Sequence, residues 1–217
     1  MKILGIIPAR GGSKGISKKN IKPLNGKPLI AYTIEASLAS KLDRLIVSTD
    51  CENIASVSKQ YGSEVIMRPM HLAEDKTPML PVLQDVIARL DEQFDAVMTL
   101  QPTSPLRSII NINHAIDIYC GDKEADSLVS VVKVPHSYMP EKLMNLDGKY
   151  LTGNNNVTRR QDMTTKYARN GAAIIITKTE KLSDYIFGGN ILPYVMSKTN
   201  SIDIDDIDDW VIAEKLF

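Results

Sequence analysis

Two segments near opposite ends of the chain carry most of its reactive character. Residues 8–20, PARGGSKGISKKN, interleave Gly11, Gly12 and Gly15 with Arg10, Lys14, Lys18 and Lys19. Glycine lets backbone N–H groups approach an anion, a guanidinium offers paired donors to phosphate, and lysine adds compact charge that can follow phosphates through a reaction. Residues 203–209, DIDDIDD, hold Asp203, Asp205, Asp206, Asp208 and Asp209. A basic glycine loop and an aspartate cluster together suit a polyphosphate and a divalent cation. A flexible basic turn and a solvated acidic face are the plainer reading of the same residues. The asymmetry is local: residues 1–34 contain seven Lys/Arg and no acid, and residues 201–217 contain six acids and one Lys. The whole chain of 217 residues balances 26 Lys+Arg against 26 Asp+Glu.

That balance gives no global reason to bind nucleic acid or an anionic membrane. Cys51 and Cys120 form neither a disulfide framework nor a zinc set, and His71, His114 and His136 lack ligand spacing. No apolar run approaches the roughly 20 residues that span a bilayer. The opening MKILGIIPAR has too short an apolar stretch for a signal peptide, so a cytoplasmic location is expected. The glycine loop is not a Walker A loop and lacks G-x-G-x-x-G, so no dinucleotide fingerprint is present.

These segments must be positioned by alternating strands and helices. The patterns predict strands at 3–7, 45–49, 64–67, 96–100, 127–134 and 172–177. Helices are predicted from Pro28 to about residue 39, from an Asp50 cap to about Gln60 with Gly62 as the stop, over 82–90, over 109–119 and over 206–217. Trp210 and Leu216 read as core contacts of the last helix. Such alternation argues for an α/β fold with a mostly parallel, doubly wound sheet. Ligands then bind outside the carboxyl ends of the strands, which nominates residues 8–22, 49–50, 68–79 and 101–107. Residues 135–170 are polar and turn-rich and read as an inserted lobe on a single domain spanning 1–217.

The run IPARGGSKGI followed by Lys19-Asn20 resembles the signature of the CMP–sialic acid synthetases, the acylneuraminate cytidylyltransferases. VSTD (47–50), RP (68–69), LQPTSPLR (100–107), RQD…NGA (160–172) and SIDIDD (201–206) follow in the family's order. The resemblance implies a Rossmann-like nucleotidyltransferase fold. It also implies transfer of CMP from CTP to the anomeric oxygen of a nine-carbon 2-keto-3-deoxy sugar acid, of sialic, legionaminic or pseudaminic type, with release of pyrophosphate. The related enzymes activating eight-carbon Kdo begin similarly but place their basic residues differently after the serine. A sugar-nucleotide-binding module without catalysis is the alternative from another class.

By the same resemblance, Arg10, Gly12, Ser13 and Lys19 hold the triphosphate, and Asn20 contacts the nucleotide. Lys19 is the group expected to meet charge developing at the α-phosphate, with Arg10 and Asp205 completing the catalytic set. Arg68 and Thr77 are assigned to the cytidine, and Gln101 lies between nucleotide and sugar. For Thr103, Ser104 and Arg107, stabilising the turn is weighed equally with ligand contact. Asp203 and Asp205, two apart in an extended segment, share a face suited to Mg²⁺, with Mn²⁺ able to substitute. Spacing alone equally allows Asp206 or Asp208. Asp206, Asp208 and Asp209 suit the first turn of the last helix. The lobe is expected to recognise the sugar acid through Lys142, Arg160, Arg169 and Asn170, and to be exchanged across a homodimer. One departure stands out: the family places an arginine two residues before the NGA asparagine, where this chain has Ala168. Either Arg169 compensates through a shifted backbone, or the acceptor differs from ordinary N-acetylneuraminate.

Overall fold

Successive residues of the central strands feed two different apolar layers, and this alternation builds the molecule. The computed structural model describes residues 1–153, 159 and 164–217. In chain order its main elements are β1 (Ile3–Pro8), β2 (Pro23–Leu24), β3 (Lys27–Pro28), α1 (Leu29–Leu38), β4 (Arg44–Thr49), α2 (Glu52–Gln60), β5 (Glu64–Met67), α3 (Met79–Ala88) and β6 (Ala96–Thr99). There follow α4 (Ile109–Gly121), β7 (Ser127–Lys133), β8 (Met144–Asp147), β9 (Tyr150–Gly153), β10 (Tyr167–Arg169), β11 (Ile175–Lys178), β12 (Ile191–Val195) and α5 (Ile207–Leu216). Ile3, Ile7, Leu45, Val47, Ala96 and Met98 face the layer built by α1, α2 and α4. Leu4, Ile6, Ile46 and Val97 face the other layer, built by α3 with Phe94 and Leu182.

β5, β4, β1 and β6 run parallel as neighbours. β11 lies antiparallel between β6 and β7. β10 and β12 also pair with β7, antiparallel and parallel respectively. The expected α/β, mostly parallel, doubly wound sheet is therefore present. β10 and β11 run in one direction along β7, separated by Asn170–Ile174. The last residues of the 135–170 stretch thus join the main sheet. Within that stretch the separate hairpin β8–β9 is exposed throughout.

Several local expectations need correction. Asp50 does not cap α2, whose N-cap position is Cys51; the Asp50 carboxylate accepts instead from the Gly11 amide at 3.0 Å. Gly62 does end that helix, with a φ of +86° that favours glycine. α3 starts at Met79 rather than Val82, because Pro81 falls in the first turn, where a missing N–H leaves no helical bond unmade. β12 was not predicted: Pro193 reads as a strand breaker, yet β12 pairs only with β7, so a missing donor is tolerated. Leu216 is 47% exposed and is not a core contact.

A third apolar cluster joins the chain's two ends. Ile16 and Leu24, from around the glycine loop, and Leu29 pack with Ile204, Trp210 and Ala213. α5 is anchored by a capping box in which the Asp206 carboxylate accepts from the Asp208 and Asp209 amides and Asp209 accepts back from the Asp206 amide. Asp206 and Asp209 are thereby engaged structurally, and Asp208 sits where the helix dipole favours negative charge. Trp210→Ala is expected to cost about 3–5 kcal/mol in urea unfolding, the usual range for emptying a large core site. A change below about 1 kcal/mol would show that this cluster does not bind the ends together.

Candidate active site

The carboxyl ends of β1, β5 and β6 open onto a cleft of about 410 Å³, lined there by Pro8, Arg68 and Gln101. One wall is the glycine loop, which leaves β1 at Pro8 and enters a short 3-10 turn (Lys19–Ile21) through Lys18 in the left-handed region. Lys19 is the loop's innermost cation, its side chain only 13% exposed. Its ammonium donates to the Ile204 carbonyl at 2.6 Å and lies 3.9 Å from the Asp205 carboxylate. Gly15 packs so closely that a Cβ there would meet the Asp205 carbonyl oxygen at 2.4 Å. The glycine loop and the aspartate segment are therefore one structure.

Asn20 is buried, and its amide donates to the Arg10 carbonyl at 3.0 Å, so it also braces the loop. Ser13 lines the cleft and its amide donates to the Gly11 carbonyl. A Cβ on Gly12 would meet nothing within 4 Å, so no intramolecular contact demands glycine there. Arg10 and Lys14 both reach across to Asp75, at 2.8 and 2.7 Å. Hydrogen bonding from Lys14, together with the charge of Arg10, holds the Asp75 carboxyl below the usual carboxylate range.

Arg68 lines the cleft floor with its side chain 4% exposed and its Nε 3.9 Å from Asp50. Burial pushes this guanidinium's pKa down, and the Asp50 charge opposes the shift. Thr77 lines the cleft while its hydroxyl donates to the His71 carbonyl at 2.8 Å. Gln101 follows β6 and is shared between this cleft and an adjoining hollow lined by Arg169, Gly171, Ala172, Ile175 and Ile186. Within that hollow the Arg169 guanidinium lies 4.9 Å over the Phe187 ring.

Other expected sugar contacts sit elsewhere. Asn170 is buried, accepting from the Ser130 hydroxyl at 2.7 Å and donating to the Ser201 hydroxyl at 2.9 Å. It lines neither opening, so its observed role is to tie β10 and β11 to the segment leading into the aspartates. Lys142 is exposed beside His136 and likewise lines neither opening. Arg160 lies outside the described residues.

Asp203 is half-buried, its Oδ1 shielded from solvent without a hydrogen-bond partner. Burial raises its pKa, opposed by a hydrogen bond from Thr103 and aided by the nearby Asp205 charge. The Asp205 side chain is 83% exposed at the cleft edge. Ile204 between them is buried in the third cluster, which leaves both aspartates outside it. Among the described residues no three His, Cys, Asp or Glu side chains converge on a metal position. Mg²⁺ is nevertheless suited by one or two carboxylates, with phosphates and water completing its shell. Asp205 lines the cleft and Asp203 does not; the unpartnered Asp203 oxygen and its electrostatic coupling to Asp205 are what fit that requirement.

Residues 4–209 match the family described as cytidylyltransferase. The chain belongs to that family. An N-acylneuraminate cytidylyltransferase of Escherichia coli O18:K1:H7 is 34% identical over 98% of this chain, which spans only 51% of that relative's length. A CMP-N,N'-diacetyllegionaminic acid synthase of Legionella pneumophila is 36% identical, covering 100% of this chain and 96% of the relative. The fold matches the solved structure of a CMP:2-keto-3-deoxy-manno-octonic acid synthetase complexed with CTP, with a TM-score of 0.78, 16% identity, and 100% and 98% coverage.

Two acidic contacts around this cytidylyltransferase's cleft were missed in the sequence. Asp50 anchors both Gly11 and Arg68, and Asp75 pairs two cations of the glycine loop. Arg107 is fully buried and donates to the Gln101 and Ala173 carbonyls and the Thr33 hydroxyl, which settles it as a brace under Gln101. Burial pushes its pKa down to about 9, so it remains protonated at neutral pH. Thr103 faces the cleft, so the turn both braces and lines it. Gly15→Ala must force the loop and the Asp205 segment apart. Because a displacement of about 1 Å can cost on the order of 10²-fold, turnover is expected to fall at least tenfold, with an unchanged circular dichroism spectrum. Wild-type turnover would show that the close approach is dispensable.

Proposed function

We propose that this cytidylyltransferase transfers CMP from CTP to the anomeric oxygen of a nine-carbon 2-keto-3-deoxy sugar acid of the sialic, legionaminic or pseudaminic type. The observation that carries the reading is Lys19 held against Ile204 and Asp205, because it joins a phosphate-binding loop to a carboxylate pair. The names of the full-length and half-length relatives support the same acceptor class. In this reaction an O–P bond forms at the α-phosphate as the bond to the β-phosphate breaks, and the acceptor hydroxyl loses its proton. Pyrophosphate departs with charge spread over several oxygens.

Positioned cations are what such chemistry needs most. Arg10 and Lys14 bind the outer phosphates, and Lys19 meets charge developing at the α-phosphate. Arg68 from the cleft floor and Thr77 from the cleft lining approach the cytidine, and Gln101 orients nucleotide and acceptor from its shared position. Asp203 and Asp205 would hold Mg²⁺ or Mn²⁺, which would neutralise phosphate charge and acidify the attacking hydroxyl. Arg169, already in the hollow beside Gln101, offers the guanidinium for the acceptor's carboxylate. An arginine at position 168 would point to the opposite face of β10, so Arg169 serves the carboxylate from its own face and not as a positional replacement.

A homodimer fits the hairpin β8–β9, where Leu146, Tyr150 and Leu151 are each more than 60% exposed. No helix among the described residues is long and apolar enough to cross a membrane, and dependence on CTP suits a cytoplasmic enzyme.

Pyrophosphate release is expected only with CTP, a divalent cation and a nine-carbon acid from a panel of eight- and nine-carbon ulosonic acids. Equal release with UTP, or with Kdo alone, would contradict the reading. Asp205→Ala is expected to lower turnover by at least about 10²-fold with the melting temperature nearly unchanged, since the side chain is so exposed. Arg169→Ala is expected to raise KM for the acid about tenfold or more while leaving KM for CTP within about twofold. A matching rise for CTP would remove Arg169 from the acceptor site.

A further inference from the structure

The cleft holds a carboxylate that the proposed reaction does not use. Asp75 lies between the short 3-10 turn Met70–Leu72 and α3, on the wall opposite the glycine loop. Its two oxygens are divided between two cations, Oδ1 on the Arg10 guanidinium and Oδ2 on the Lys14 ammonium. A phosphate group presents oxygens to arginine and lysine in the same way. We propose that Asp75 is an internal stand-in for a phosphate of the nucleotide: it positions Arg10 and Lys14 across the cleft and must be displaced when a triphosphate enters. The inference rests on the reading of this cleft as a CTP site.

Three features support displacement over a fixed structural bridge. Asp75, Arg10 and Lys14 have side chains 45%, 35% and 73% exposed, and ion pairs so open to water are individually weak. A triphosphate carries several negative charges and many acceptor oxygens, so it outcompetes a single carboxylate for the same two donors. The loop carrying Asp75 lies between elements and is not part of the central sheet, so it can yield without disturbing β1 or β4. The carboxylate then has two effects. It keeps two long, mobile side chains in the cleft before the nucleotide arrives, and it moderates affinity for every polyphosphate, including the pyrophosphate that must leave.

Calorimetric titration of CTP with Mg²⁺ and no acceptor, and separately of inorganic pyrophosphate, tests this on the intact chain. Asp75→Asn is expected to bind both ligands about three- to tenfold more tightly than wild type. Glu74→Gln removes the same charge from the same loop and cleft wall, and Glu74 makes no ion pair among the described residues, so it is expected to give a clearly smaller gain. In a Lys14→Met background the gain from Asp75→Asn is expected to shrink, because one of its two partners has gone. Asp75→Ser is expected to repeat the direction of Asp75→Asn. Unchanged or weaker binding by both Asp75 variants, with wild-type melting temperatures, would overturn the inference. A gain in Glu74→Gln equal to that of Asp75→Asn would also overturn it, by reducing the effect to the cleft's general field. Failure of the wild-type chain to bind CTP at all would overturn the nucleotide reading itself, so the two failures are distinguishable.

Discussion

The arrangement depends on one lysine. Lys19 sits where its ammonium reaches the backbone of Ile204, 185 residues away in sequence, and the Asp205 carboxylate beside it. A cation so little exposed must be compensated, and here the compensation is a carbonyl at 2.6 Å and an anion at 3.9 Å. The surrounding packing follows from that contact. Ile16 and Ile204 share an apolar cluster with Trp210, and Gly15 lies directly against the Asp205 carbonyl. The capping box of α5 then fixes Asp206 and Asp209, leaving Asp203 and Asp205 outside the helix. The basic glycine loop and the aspartate segment are thus joined by one polar contact with an apolar support beneath it.

Around that clamp, charge is layered. Arg107 is enclosed beneath Gln101 and Arg68 is buried in the cleft floor, while Arg10 and Lys14 stand at its mouth. Buried cations cannot rearrange as solvent does, so their field is already in place before an anion binds. The acids are equally graded. Asp50 holds the loop backbone and faces Arg68, Asp203 is half-buried with one unpartnered oxygen, and Asp75 and Asp205 remain at the surface. Fixed groups set the shape of the site, and exposed groups can exchange partners with a ligand.

Much of this was legible in the sequence because its causes are local. The strands announce themselves as short apolar runs, and the glycine loop is recognisable by residue type and spacing. The choice of Asp203 with Asp205 comes instead from the family resemblance, since spacing alone equally allows Asp206 or Asp208. Arg169 was distinguishable from Ala168 by one position, and in a strand one position changes the face. What escaped depends on partners distant in sequence. Nothing near Asp75 says that it will meet Arg10 and Lys14, and nothing near Arg107 says that it will be sealed against Thr33 and Ala173. Asn170 was read as a ligand contact because of the family resemblance at NGA, but Ser130 and Ser201 occupy its amide. No element is predicted between residues 177 and 206, and β12 forms there because β7 offers it an open edge, where Pro193 is tolerated.

The most direct test of the clamped site is a crystal structure of the chain with CTP and Mn²⁺, using anomalous scattering to locate the manganese. The account predicts the triphosphate along residues 10–19, with the Lys19 ammonium hydrogen-bonded to it and the anomalous peak at the Asp203 and Asp205 carboxylates. Manganese bound away from both aspartates, or a triphosphate out of reach of Lys19, would contradict it.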